Sequence, residues 1–362
     1  MPPNASEPRP FSTCSPSSSW PRTMTSHPQM TRTDTMAEFP RSICLIAPGK
    51  TETRLSLERV NEIMERGESC LWIDVDTNDP AQVELFKAIR GLHPLSVEDA
   101  LSRKSRPKLD EYATYLFVVI LGLRLHEETE DPYDLETFDL CFFLGARFLI
   151  TAHAGPSSAL DEVADRIEKN PDLLARGSDR LAQVIMDGAV DEYFPLLDKI
   201  DEFIDSLEQR VIEQFDQSAL PEIFAVKRLV ISLRRHIGPE REVFNVLTNR
   251  PSALLSPESQ LYFRDIYDHV LRINDSVETF RDLLSSVLDS YLTQVSNRLG
   301  RVTKGLSVIA TLSIPFVVVS GMWGMNVPVP FATHQHAFWW LLAVQVGLGL
   351  ALLLILRFRN FL

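Results

Sequence analysis

Residues Gly305–Gly324 read GLSVIATLSIPFVVVSGMWG, about twenty positions without one Asp, Glu, Lys or Arg, and they run directly into Met325-Asn326. That length of uncharged helix is enough to cross a hydrocarbon core of roughly 30 Å. Upstream, no proline interrupts the chain between Pro257 and Pro315. The charged segment and the apolar span therefore read as one rod, on the order of 100 Å from Pro257 to Trp323 at about 1.5 Å per residue. Ser256 is placed to cap its start. A rod of that length would connect a soluble domain to a membrane.

A second uncharged run follows at Ala337–Leu356, with Trp339 and Trp340 at the start where amphipathic rings favour the interface. Arg298, Arg301 and Lys304 precede the first span, Arg357 and Arg359 follow the second, and the connection carries no Asp, Glu, Lys or Arg. The positive-inside rule then puts both termini in the cytoplasm, with lipid as a partner. Two closely spaced spans cannot enclose a wide aqueous path, so conduction would require an oligomer. A bare anchor would not. The formal net charge is −13, and the only charges beyond Lys304 are Arg357 and Arg359, which leaves −15 on residues 1–304. Such a surface argues against nucleic acid and suits a cation-handling protein, although excess carboxylate also serves solubility. Cys14, Cys44, Cys70 and Cys141 have no paired short spacing, so neither a zinc knuckle nor a disulfide framework is indicated.

Residues 1–40 are crowded with Pro, Ser and Thr, and a disordered extension is expected there. Met36 is an alternative start, and the Arg- and Ser-bearing character weakly resembles an organellar transit peptide. From 41 to 155, short apolar runs alternate with helical ones. Leu71–Val75, Leu116–Ile120 and Phe148–Thr151 read as buried strands, and Ser56–Arg66 and Pro80–Arg90 as helices, the second capped by Asp79. Asp139–Leu144 and Arg147–Thr151 flank Gly145-Ala146 as a hairpin, which makes the sheet mixed. Residues 156–255 have apolar positions at helical spacing over Ser157–Asn170, Asp179–Gln214 and Ala219–Thr248, and their acidic positions read as solvated faces. The fold class is thus an α/β domain (41–155), a helical region (156–255), a stalk helix (256–304), a first span (305–324), a loop (325–336), a second span (337–356) and a basic tail (357–362).

Several stretches together resemble the CorA family of divalent-cation channels. They are Trp72-Ile73-Asp74, Leu92-His93-Pro94-Leu95-Ser96-Val97-Glu98-Asp99-Ala100, Arg106-Pro107-Lys108-Leu109 and Phe148-Leu149-Ile150-Thr151-Ala152-His153. The match is strongest over Tyr262-Phe263-Arg264-Asp265-Ile266-Tyr267-Asp268-His269 and Val277-Glu278-Thr279-Phe280-Arg281-Asp282, and it ends in Trp323 followed by Gly324-Met325-Asn326. The resemblance implies a funnel-shaped homopentameric channel in the cell inner (plasma) membrane, with the stalk helix continuing into a pore-lining first span. The number five comes from the resemblance alone.

Mg²⁺ prefers six oxygens and dehydrates reluctantly. A ring of neutral oxygens could hold it with its water, the Asn326 amide carbonyl together with backbone carbonyls of Gly324 and Met325. Alternatively, Gly-Met-Asn only terminates a helix. Below it, Leu306, Ala310, Ile314 and Val317 recur at three to four residues, the spacing of either an apolar gate or ordinary helix packing. The resemblance places Leu306 and Ile314 on the pore and makes Asp289 an acidic ring at its cytoplasmic end. It also makes Asp99 and Asp265 facing carboxylates that bind regulatory Mg²⁺ between subunits, with Asp268 one turn on. Opposed carboxylates repel without a cation and are bridged with one, so internal Mg²⁺ would favour closure. Alternatively, Glu98 and Asp99 pair locally with Arg103 or Lys104.

Two departures bear on the cation. The loop Val327–His336 contains no carboxylate where the family often has one, and Gly300 replaces a commonly polar residue below the apolar section. His334 and His336 are candidate ligands for a borderline metal or plain surface residues. The expectations are a passive Mg²⁺ channel; a related Zn²⁺, Co²⁺ or Ni²⁺ transporter, proton-coupled or not; or a membrane-tethered interaction protein. No phosphate loop, nucleophile elbow or metalloprotease spacing points to an enzyme.

Overall fold

The computed structural model describes residues 38–102, 106–125, 135–214, 216, 218–325 and 335–358. Seven strands form one sheet: β1 (Arg41–Ala47), β2 (Lys50–Thr53), β3 (Leu71–Asp76), β4 (Lys108–Glu111), β5 (Tyr115–Leu125), β6 (Leu135–Gly145) and β7 (Phe148–His153), in the order β2-β1-β3-β7-β6-β5-β4. Only β3 and β7 run parallel, in register from Leu71 opposite Phe148 to Asp76 opposite His153. The sheet is therefore mixed, and β6 and β7 make the hairpin expected around Gly145-Ala146. A Cβ on Gly145 would run into the Phe148 ring, so the tight return needs glycine.

Leu71–Val75 is buried at every position because helices cover both faces of the sheet. Leu71, Ile73 and Val75 point to one side, where they meet Phe117 and Phe143 and helices α1 (Leu57–Arg66), α2 (Pro80–Lys87) and α3 (Pro94–Leu101). Trp72 points to the other, towards α4 (Ser158–Lys169), the short α5 (Asp172–Ala175), α6 (Ser178–Asp191), α7 (Tyr193–Gln214) and α8 (Ala219–Asn249). Asp79 caps α2 as expected, its Oδ1 accepting from the Ala81 N–H at 2.9 Å. The helix expected over Asp179–Gln214 is two, broken at Glu192. The Tyr193 hydroxyl, wholly buried beside the break, donates to the Leu121 carbonyl. Phe39, inside the stretch expected to be disordered, is wholly buried; residues 1–37 lie outside the described residues.

Two buried polar groups tie the layers together. At the C-terminal ends of β3 and β7, His153 stands between two acceptors, Nδ1 at 2.5 Å from the Gly155 carbonyl and Nε2 at 3.3 Å from Asp74 Oδ2. Arg41 and Thr151 also donate to Asp74. In α8, Glu240 is buried behind the helix-internal Pro239, and its Oε1 accepts from the Leu121 N–H of β5 at 2.6 Å. Burial pushes its carboxyl up to about 8, against the lowering effect of that hydrogen bond.

The final two helices are α9 (Pro257–Trp323), a single helix of 67 residues, and α10 (Ala337–Phe358). Ser256 caps α9, its Oγ accepting from the Ser259 N–H at 3.1 Å. Asp179 Oδ2 in turn accepts from the Ser256 N–H at 2.9 Å. Burial alone would raise the Asp179 carboxyl, but these hydrogen bonds from Ser256, with others from Ser259 and Arg180, hold it below its usual range. From Phe263 to Tyr291 α9 buries one face, Phe263, Ile266, Val270, Ile273, Val277, Phe280, Leu284, Val287 and Tyr291, against the helical layer. The spacing of three to four is that of an amphipathic helix.

Candidate functional site

Three ionisable residues of α6 and α9 gather where these helices meet. Asp187 and Asp191 lie one turn apart on α6, facing His269 of α9, and one ligand atom from each lies within 4.8 Å of the others. His269 Nδ1 is 3.2 Å from Asp191 Oδ1. Burial raises the Asp187 carboxyl, the charges of Asp191 and Asp265 add to the effect, and His269 opposes it. Asp187 Oδ1 is buried without a hydrogen-bond partner among the described residues. An orphaned carboxylate oxygen beside an imidazole and further carboxylates is a donor set that a divalent cation would satisfy, inverting the repulsion that now raises Asp187.

Asp265, named from sequence, is exposed on α9 and acts on Asp187 through its charge, outside the three residues whose ligand atoms converge. Sequence reasoning passed over Asp187 and Asp191, which read as a solvated helix face. Their spacing of four residues was the available signal. Asp268 is exposed and lines a groove of about 760 Å³ between α7 and α9, with Asp198, Asp201 and Asp275. Asp99 lies on α3, half-exposed, and Lys108 Nζ donates to its Oδ2 at 2.6 Å and stands 2.8 Å from Asp110 Oδ2. Lys108 is thus one local partner of Asp99. Arg103 and Lys104, named from sequence, lie outside the described residues.

Beyond Tyr291 the character of α9 changes. Leu292, Val295, Leu299, Val302, Leu306 and Ile309 recur at alternating intervals of three and four and are all exposed. Charged neighbours at Arg298, Arg301 and Lys304 show this is no ordinary surface. An apolar stripe of period 3.5 is what parallel helices bury against one another. Asp289 is exposed just below it. Leu306 and Val317, 64% and 69% exposed, with Ala310 and Ile314, fall within an arc of about 80° at 3.6 residues per turn. α10 meets α9 outside this arc, at Phe316 and Ser320, while Val308, Leu312, Pro315 and Val319 are the less exposed positions of this part of α9. The helix ends with the Gly324 N–H donating to the Ser320 carbonyl at 3.0 Å, and Met325 is exposed beyond it. Asn326 and His334 lie outside the described residues. The apolar part of α9 and the whole of α10 are long and apolar enough to cross a membrane, and almost none of that surface is buried within the chain.

Residues 67–358 match the family model described as CorA-like Mg²⁺ transporter protein. The chain is 36% identical to the cobalt/magnesium transport protein CorA of Thermotoga maritima over 65% of this chain and 67% of that protein. It is 25% identical to the divalent cation transporter CmaX of Pseudomonas aeruginosa, over 75% of this chain and 81% of the relative. Among solved structures, the complete CorA magnesium transporter of Methanocaldococcus jannaschii superposes with a TM-score of 0.74 at 18% identity, covering 88% of this chain and 97% of that one. That likeness shows the fold, with its long helix and two apolar C-terminal helices. With four-fifths of its length matched, the chain belongs to the CorA-like Mg²⁺ transporter family and is a divalent-cation transporter rather than an enzyme.

Proposed function

We propose that the chain forms a homopentameric channel in the inner (plasma) membrane, both termini cytoplasmic, that admits Mg²⁺ down its electrochemical gradient and closes when internal Mg²⁺ binds. One observation carries this: α9 is continuous from Asp265 and His269, through the exposed stripe Leu292–Ile309 and the row Leu306, Ala310, Ile314 and Val317, to Gly324. The stripe is apolar and repeats every 3.5 residues, so a second copy of the same helix fits it better than any unlike surface. In a ring of such helices, Leu306, Ala310, Ile314 and Val317 would face the axis as an apolar constriction, Asp289 would receive the cation below, and Gly324, Met325 and Asn326 would present neutral oxygens above.

Feedback follows from charge. Asp99, Asp265 and Asp268 would meet across a subunit boundary, where bound Mg²⁺ cancels their repulsion and draws the subunits into a closed arrangement. In this scheme residues 41–155 sense the ion together with 156–255, residues 256–304 carry the signal, and residues 305–324 with 337–356 span the membrane.

A second reading, a Zn²⁺, Co²⁺ or Ni²⁺ transporter of the same family, rests on the His269 imidazole beside Asp187 and Asp191, a mixed nitrogen and oxygen set that suits borderline metals. The loop without carboxylate after Asn326 is compatible with either cation class. Flux of Mg²⁺, Co²⁺, Ni²⁺ and Zn²⁺ into proteoliposomes, each with and without a pH gradient, separates them. Gradient-independent Mg²⁺ entry is expected; Zn²⁺ entry that requires the gradient would establish the alternative.

A further inference from the structure

Within α10, the only residues that are neither apolar nor glycine are Gln345 and the terminal Arg357. A primary amide in the middle of a membrane helix is costly unless another helix satisfies it. Gln345 is 8% exposed, and its Nε2 donates to Ser320 Oγ at 2.8 Å and lies 3.4 Å from the Phe316 carbonyl. One turn along α10, a Cβ on Gly349 would stand 3.0 Å from the Phe316 ring, so the missing side chain lets the two helices close on each other. Gln345 and Gly349, spaced i,i+4 on α10, therefore grip Phe316 and Ser320, spaced i,i+4 on α9.

Ser320 also closes the pore helix. Its carbonyl accepts from the Gly324 N–H at 3.0 Å, and a Cβ on Gly324 would come within 3.2 Å of that oxygen. One residue thus holds α10 by its side chain and the start of Gly324-Met325-Asn326 by its backbone. The turn it closes lies just beyond Pro315, which has no N–H to offer the Thr311 carbonyl, so this stretch of α9 has less support of its own.

Resting on the transport reading above, we propose that Gln345 is a positioning residue for the channel mouth: by fixing Ser320 it sets the height and rotation at which the Gly324 and Met325 carbonyls are presented to the entering cation. It touches no ion. It determines how well the neutral ring is registered, and so the affinity and selectivity of entry rather than the existence of a path.

The test uses the full chain in proteoliposomes, with Mg²⁺ and Co²⁺ influx measured against external concentration. Gln345→Leu, which suits the membrane at least as well as the native amide, is expected to raise the half-saturating concentration roughly three- to tenfold and shift the Mg²⁺/Co²⁺ ratio, with a smaller change in maximal flux. Ser320→Ala should do the same. The double variant should be no worse than the more affected single, because both remove one interaction. Ser320→Thr, which keeps the hydroxyl, should resemble the wild type. Wild-type half-saturation and selectivity in Gln345→Leu would overturn the proposal, as would effects of Gln345→Leu and Ser320→Ala that multiply. A wild type that passes no divalent cation would overturn the transport reading itself, and this proposal with it.

Discussion

The Lys108 ammonium sits 2.6 Å from Asp99 Oδ2, so the α3 carboxylate proposed to bind a divalent cation already has a cation of its own. Both side chains are about one-third exposed, which keeps the pair modest, in the range of about 0–1 kcal/mol. Removing the ammonium should therefore take one competing cation away from Asp99. Lys108→Gln is expected to lower the internal Mg²⁺ concentration that half-closes the channel, by roughly threefold. Asp99→Asn combined with Asp265→Asn should act oppositely and conduct at internal Mg²⁺ that silences the wild type. Flux from vesicles loaded with graded Mg²⁺ reads both, and unchanged inhibition in the double variant removes this pair from the mechanism.

His153 has acceptors at both ring nitrogens, and only the doubly protonated ring donates to both. Burial lowers its pKa, but hydrogen bonding to Asp74, the charges of Asp74 and Asp76, and the Gly155 carbonyl together raise it above the ordinary value of 6.5. Arg41 and Asp161 complete the charged surroundings from β1 and α4. The folded-state pKa being the higher, this contribution is complete below about pH 6.5 and is lost as pH rises through the folded value. The melting temperature of the purified protein should fall between pH 6 and pH 8.5, and His153→Gln should make that slope shallower, leaving the part that Glu240 contributes, while costing about 1–3 kcal/mol at pH 6.

Glu240 has the opposite chemistry and the same sign. Its carboxyl titrates near 8 when folded and near 4.5 when unfolded, so the unfolded chain releases its proton first and stability declines as pH climbs between those values. Glu240→Gln keeps an oxygen for the Leu121 N–H and has no proton to lose. The variant should therefore melt higher than the wild type at pH 8, with the gain vanishing towards pH 4.5. Equal melting temperatures at pH 8 would show that Glu240 is not held protonated.

Asn326→Ala tests whether the proposed mouth relies on the neutral amide oxygen. A mouth built on neutral oxygens predicts a loss of Mg²⁺ influx on the order of tenfold or more with unchanged membrane insertion. Retained influx would remove the Asn326 amide from the pathway.

The sequence disclosed some of this more readily than the rest. The continuity of α9 was visible because 47 residues without proline, 258–304, preceded an uncharged span, and Ser256 marked where it starts. The hairpin at Gly145-Ala146 was equally plain, since two apolar runs flank a glycine. β2 and β4 escaped because Lys50–Thr53 and Lys108–Glu111 are four residues each and polar, which is what sheet edges look like. Asp187 and Asp191 escaped for a different reason. Their approach to His269 is created by the packing of α6 on α9, a contact between residues some eighty positions apart that no local pattern records. Gln345 was overlooked as one polar letter in an apolar run; its partner Ser320 is twenty-five residues away across a loop.

The exposed stripe Leu292, Val295, Leu299, Val302, Leu306 and Ile309 has one further consequence. A repeat of 3.5 residues on a helix of 3.6 drifts by about 20° per heptad, so helices that keep the stripe in contact wind round one another with a left-handed twist. Over the roughly two heptads between Tyr291 and the first span, that amounts to about 40°. In the proposed oligomer, any tightening or loosening of the soluble part would then reach the membrane spans as torque, turning Leu306, Ile314 and Val317 about the shared axis as a camera iris turns, and not simply as a push along it.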